Sequence, residues 1–268
     1  MRYEMMEKAS QEIGKLVSKK HVFFADRGNT AILLALKLAV SLGKSRLFMQ
    51  DQGGWITYGQ YGRKLKLEMI SFATDHGIIR LEDLSGLDEK SILLVNSMPG
   101  YYALQKNMGE ITSICESRGA FLINDASGSI GTESAKHGDI ILGSFGEWKP
   151  VEVGYGGFLA FDKEYRDFFR AENKRPVNDF QEKLLAELAK LEDKTRHIFA
   201  LQEKVKKDLL RYDILQRDSK GFNVIVMYST DKEKEELLAY CVSNKLEYTE
   251  CPRYIRVLDK AISIELKR

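Results

Sequence analysis

The chain has 268 residues, 44% of them hydrophobic and 30% charged, with 41 Lys and Arg against 39 Asp and Glu for a formal charge of +2. That is enough chain for one large domain and a smaller one, and the composition excludes a disordered or fibrous protein. A near-neutral charge gives no field that would gather nucleic acid or an anionic membrane, so neither partner is expected.

In chain order, His21 to Phe24, Ser45 to Met49, Glu68 to Phe72, Ser91 to Asn96, Ala120 to Asn124 and Asp139 to Leu142 are short apolar runs bounded by turn residues, which predicts buried strands. Asn29 to Leu42 and Met108 to Arg118 carry apolar residues at helical spacing between them. Alternation of this kind predicts an α/β fold with a mostly parallel sheet between helices, its ligand sites at the carboxyl ends of the strands. Phe158 to Phe161 predicts a further strand. From Asp162 to Asp213 the sequence is rich in Lys, Glu, Leu and Ala, broken at Arg175-Pro176-Val177-Asn178, which predicts a long connecting helix. Phe222 to Tyr228 then reads as a strand, Lys232 to Ser243 as a helix, and Tyr254 to Val257 and Ala261 to Leu266 as strands of a small α+β lobe. The expected division is 1–170 and 171–268.

No run of about 18 apolar residues occurs and residues 1–20 are charged throughout, so neither a membrane span nor a signal peptide is predicted, and a cytoplasmic protein is expected. Three scattered cysteines (Cys115, Cys241, Cys251) and four scattered histidines suggest no disulfide framework and no metal site.

Five segments carry chemistry. Gly143-Ser144-Phe145-Gly146-Glu147-Trp148-Lys149-Pro150, followed by Gly154-Tyr155-Gly156-Gly157, sets a lysine in a glycine-rich loop after a buried strand. Alone, Lys149 reads as a surface residue; held at a strand end, a desolvated lysine has a free amine for imine formation. Phe121 to Gly128 is an apolar strand ending in Asp125, alone a turn cap. Asp26-Arg27-Gly28-Asn29-Thr30-Ala31 opens a helix, whose N-terminal N–H groups and dipole favour an anion. Gly53-Gly54-Trp55-Ile56-Thr57-Tyr58 follows the second strand, and Asn96 ends the fourth.

The pattern S-F-x-x-x-K followed by G-x-G-G resembles the lysine segment of the fold type I enzymes that use pyridoxal 5′-phosphate (PLP), the aspartate aminotransferase superfamily, and most closely its DegT/StrS branch that aminates sugars. The other segments follow in the family's order over roughly residues 20 to 161. The resemblance implies PLP held as a Schiff base on Lys149, with Ser144 on the cofactor phosphate. It gives Asp125 the protonated pyridine nitrogen, where a carboxylate strengthens the electron sink, and puts Ala126 or Ser127 under the ring. Gly28, Asn29 and Thr30 become the phosphate cradle, Trp55 the stacking aromatic with Tyr58 in reserve, and Asn96 a partner of the phenolic oxygen. In relatives acting on α-amino acids an arginine of the small lobe holds the substrate carboxylate, and Arg256 matches by position. A homodimer and a small-molecule amino donor and acceptor are also implied. The expected activity is that of an aminotransferase acting on an amino acid or an amino or keto sugar; a lyase or decarboxylase using the same cofactor, and a non-catalytic binding or regulatory module on the same fold, are the alternatives.

Overall fold

The computed structural model describes residues 2–175, 177 and 179–267. Apolar runs with no polar alternation become interior strands because both faces of the sheet are covered. Thus β1 (His21–Ala25), β2 (Arg46–Gln50), β3 (Glu68–Phe72), β4 (Ser91–Asn96), β5 (Phe121–Asp125), β6 (Ile140–Ser144) and β7 (Gly157–Phe161) form a seven-stranded sheet in the order β1-β7-β6-β5-β4-β2-β3. The strands from β3 across to β6 pair in parallel, and β7 runs antiparallel to β6 and β1. All residues of β4, β5 and β7 are buried.

Side chains alternate between the faces with a period of two. Ile92, Leu94, Ile123, Ile140, Leu142 and Leu159 meet α2 (Gly28–Ser41), which buries Ala31, Ala35 and Ala39 fully, so small side chains let the helix lie close to the sheet. On the opposite face Ile141, Phe158 and Ala160 meet α1 (Arg2–Val17) through Ala9, Ile13 and Val17, a four-residue spacing that gives one apolar stripe. There Leu93, Val95 and Leu122 meet α4 (Met108–Arg118) through Met108, Ile111 and Cys115. Between β2 and β3 lies α3 (Ile56–Lys64).

The helical stretch predicted from Asp162 to Asp213 is two helices, α5 (Arg166–Glu172) and α6 (Gln181–Asp208); Pro176 and Asn178 of the predicted break lie outside the described residues. Leu184 and Leu191 in the first half of α6 pack into the core beneath the large sheet, while Ile198 and Val205 in its second half pack into the core of a second sheet. That sheet is antiparallel, in the order β8 (Asn223–Met227), β10 (Ala261–Glu265), β9 (Glu247–Glu250). Over it lies α7 (Asp231–Ser243), opened by a capping box in which Thr230 and Glu233 each accept from the other's backbone N–H.

One predicted strand is corrected. Tyr254 to Val257 is a turn, closed by Arg253 N–H to Val257 C=O at 2.7 Å and Arg256 N–H to Arg253 C=O at 2.8 Å. The edge of β10 that this segment would have paired with is taken by β9, a polar edge strand of sequence Glu-Tyr-Thr-Glu with Thr249 alone buried. Among the described residues, no helix is long and apolar enough to cross a membrane.

Gln202 of α6, fully buried, holds the two sheets' connections together: its amide donates to Tyr102 C=O at 3.2 Å and Asn223 C=O at 3.0 Å, and its Oε1 accepts from Gly221 N–H at 2.9 Å. Gln202→Met keeps the volume and strands those three backbone groups, so it should lower stability by about 3 kcal/mol or more, since each buried unsatisfied group costs on the order of 1–3. Urea unfolding checks this: the midpoint should fall with the slope unchanged, and a wild-type midpoint would contradict it.

Candidate active site

The parallel strands deliver their last residues to one edge of the sheet. Asn96 at the end of β4 pairs in register with Asp125 at the end of β5, and β6 ends beside them at Ser144, opposite Gly157 of β7. The Asp125 carboxylate is 5% exposed, and each of its oxygens has a donor: Tyr58 Oη at 2.5 Å from Oδ2 and Ser127 N–H at 2.9 Å from Oδ1. Burial makes an unpaired carboxylate costly, and these donors offset that cost. Burial, and after it the charge of Asp125, push the Tyr58 hydroxyl well above the ordinary tyrosine range, so it stays a donor. Ser127 Oγ accepts from Ser144 N–H at 3.0 Å, which joins the ends of β5 and β6.

The loop after β6 is folded back by its own backbone. Phe145 is fully buried and stacked on Phe158 with ring centroids 5.5 Å apart; its carbonyl accepts from Val153 and Gly154 N–H at 2.9 and 2.8 Å, and its N–H donates to Gly156 C=O at 3.1 Å. Gly154 and Gly156 stand at φ +80° and +91°, a region open to glycine without strain. Trp148, at φ +57°, takes the same left-handed region with a bulky side chain, a conformation that clusters at functional sites. Its neighbour Lys149 is half-buried, and its ammonium donates to Tyr101 Oη and lies 5.7 Å from the centre of the Trp55 ring. Tyr101 is itself left-handed at φ +63°, immediately after Gly100 at +57°.

At the start of α2 the backbone comes so close to β6 that a Cβ on Gly28 would lie 2.5 Å from Ser144 Cβ. No side chain other than hydrogen fits there. Asn29 follows, its Oδ1 accepting from Trp55 Nε1 at 2.8 Å and from Thr57 Oγ1 at 3.4 Å.

These groups surround one cavity of about 450 Å³. Of the residues singled out in the sequence, Gly28, Asn29, Trp55, Asn96, Asp125, Ser127, Ser144, Lys149 and Arg256 line it, so the amine and the strand-end carboxylate face a common space. Thr30 is not on the wall; it is buried, turned from Asn29 by the 100° that separates successive helical residues. Asn96 braces a loop, donating through Nδ2 to Gly53 C=O at 2.8 Å and accepting at Oδ1 from Met98 N–H at 3.1 Å. Tyr58 lies behind the wall on Asp125. Arg256 reaches the wall from the second sheet's side, 4% exposed, with its guanidinium on the fully buried Glu265 at 2.8 and 3.0 Å. Breaking such a buried pair on one side costs about 3–5 kcal/mol, so the fork is held there.

Tyr101 and Lys267 are among the wall residues that the sequence did not single out. Tyr101 and Lys267 meet over one ring, with the Lys267 ammonium 3.3 Å from its centroid and the Arg256 guanidinium carbon 5.6 Å away. Neither carries a local signal, since the contacts join residues far apart in the chain. Among the described residues, no group of three His, Cys, Asp or Glu is placed to hold a metal ion.

Residues 191–268 match the family model of the MJ1341 family C-terminal domain. No curated protein matches the chain by sequence. By structure it is similar to a DegT DnrJ EryC1 StrS aminotransferase from Brucella abortus, 15% identical with a TM-score of 0.75 over 97% of this chain and 84% of that one. It is also similar to 3-amino-5-hydroxybenzoic acid (AHBA) synthase, 15% identical, TM-score 0.74, over 98% of this chain and 85% of that one. A serine palmitoyltransferase from Sphingomonas wittichii, 12% identical, superposes with a TM-score of 0.73 over 98% of this chain and 70% of that one. The chain has the fold of the PLP-dependent enzymes of fold type I.

Proposed function

We propose that the chain is a PLP-dependent enzyme of the aminotransferase type, with Lys149 as the residue that holds the cofactor covalently and moves the proton. The observation that carries this reading is that Lys149 and Asp125 line one cavity, whose volume of about 450 Å³ suits a cofactor-sized ligand. The donor set fits the cofactor's two ends. At one end, α2 presents the backbone N–H groups of its first turn, which suit phosphate oxygens, and Gly28 packs so closely on Ser144 that only glycine keeps the two residues on one wall. At the other, a buried carboxylate with both oxygens already fixed suits a protonated ring nitrogen.

In this reading Gly28, Asn29 and Ser144 hold the phosphate, Asp125 holds the ring nitrogen, and Ser127 and Trp55 flank the ring. Bound PLP supplies an electron sink that stabilises charge developing at a substrate carbon. Lys149 would hold the cofactor through Nζ, and the same amine would serve as the general base and acid that removes and returns a substrate proton. Tyr101 Oη, which accepts from Lys149, keeps that amine over the cavity. Arg256, its fork engaged and its charge balanced by Glu265, keeps only its remaining N–H groups for a substrate carboxylate, and Asn96 braces the Gly53 loop. Amino transfer is preferred to other PLP chemistry because one of the neighbours in fold is the DegT DnrJ EryC1 StrS aminotransferase named above.

The protein incubated with PLP should show visible absorption that borohydride bleaches, and mass spectrometry of the reduced protein should place the adduct on the peptide containing Lys149. Lys149→Ala should lose both signals while melting as the wild type does; a labelled peptide elsewhere, or a colourless wild type, would contradict the reading. Gly28→Ala forces Ser144 aside and should weaken PLP binding by about tenfold or more, a loss of about 1.4 kcal/mol, while leaving affinity for pyridoxal, which lacks the phosphate, unchanged. Equal losses for the two ligands would remove Gly28 from the cradle.

A further inference from the structure

Tyr58 is nearly fully buried in α3, in the core between that helix and the sheet, and its hydroxyl points through the back of the cavity wall to Asp125 Oδ2 at 2.5 Å. Its ring is held from both sides: it belongs to the apolar core with Leu47, Ile92 and Leu94, and a Cβ on Gly54 would come within 3.0 Å of its edge. The second oxygen of Asp125 accepts from Ser127 N–H at 2.9 Å. A carboxylate with one fixed donor on each oxygen cannot turn about its Cβ–Cγ bond without breaking one of them. The backbone donor belongs to β5's own turn, whereas the phenol comes from a residue 67 positions away in sequence and is the part of the clasp that the strand does not supply.

We propose that Tyr58 is a positioning residue of the cofactor site, which fixes the orientation of the Asp125 carboxylate so that its remaining acceptor capacity faces the ring nitrogen. The inference rests on the PLP reading. It extends that reading to a residue that is not on the cavity wall and touches neither cofactor nor substrate. Short charge-assisted bonds of this kind are about twice as strong as neutral ones, which suits them to fixing an acceptor before the ligand arrives. Preorganisation of this sort is read in binding affinity, since the free protein does not then spend ligand energy on ordering the side chain.

The experiment compares two probes in equilibrium titrations of the cofactor-free protein: PLP, and its 1-deaza analogue, in which a C–H replaces the ring nitrogen. Wild type should prefer PLP. Tyr58→Phe keeps the ring and removes one oxygen; it should weaken PLP binding by about tenfold, the usual scale of coupling between residues in contact, and leave the analogue within about twofold. In an Asp125→Ala background the same substitution should leave PLP affinity unchanged, and thermal unfolding of each cofactor-free variant confirms that it is folded. Equal weakening of both probes by Tyr58→Phe would overturn the proposal, because a residue that only packs would treat them alike. A wild type that binds neither probe would overturn the cofactor reading itself, and a wild type that binds both equally would remove the contact between Asp125 and the ring nitrogen on which Tyr58 is proposed to act.

Discussion

The hydrogen bond from Ser144 N–H to Ser127 Oγ, 3.0 Å long, ties the end of β6 to the turn after β5, and the cavity depends on that tie. On one side of it the turn carries Asp125, whose carboxylate accepts from Ser127 N–H. On the other side the chain continues through Phe145 into the loop that holds Lys149. Fixing two strand ends fixes an acid and an amine on the wall of one space, and the carboxyl ends of parallel strands are a recurrent place for ligands.

Polar groups around this space are spent on one another before any ligand arrives. Asp125 has Tyr58, Lys149 has Tyr101, Asn29 has Trp55, and Arg256 has Glu265. Buried polar groups left unmatched would cost more than the site's packing returns. The pairing also sorts the wall into groups with capacity to spare and groups without. A carboxylate has about four lone-pair sites, so Asp125 keeps acceptor capacity beyond its two donors. A guanidinium clasped on a buried carboxylate has far less to offer a second anion, which separates Arg256 from the two-pronged substrate clasp that its position alone suggests. Lys149, Arg256 and Lys267 gather around the Tyr101 ring.

The strands of the large sheet were legible because burial on both faces leaves a continuous apolar run, as in Ser91–Asn96 and Phe121–Asp125, and the strand-end position of Asp125 follows directly from where that run stops. Lys149 was legible through its glycine-rich surroundings, whose left-handed residues the loop requires. The small sheet was less so. Its edge strand β9 is polar and leaves no alternation to detect, while Tyr254 to Val257 has strand-like composition but spends its backbone on a turn and on Gly53, whose N–H donates to Tyr254 C=O at 2.7 Å. Thr30 sits in the first turn of α2, as its sequence position implies, but off the cavity wall. Tyr58 was visible only as an aromatic near Trp55, since its partner is set by the packing of α3 on the sheet and no local pattern encodes a contact across 67 residues.

If one ring fits between Lys149 and Asp125, a crystal structure of the protein with PLP will show continuous density from Lys149 Nζ to the cofactor, the phosphate at the first turn of α2, and the ring nitrogen within about 3 Å of the Asp125 carboxylate, a hydrogen-bond distance. A cofactor bound with its nitrogen turned away from Asp125, or held by another residue, would contradict it.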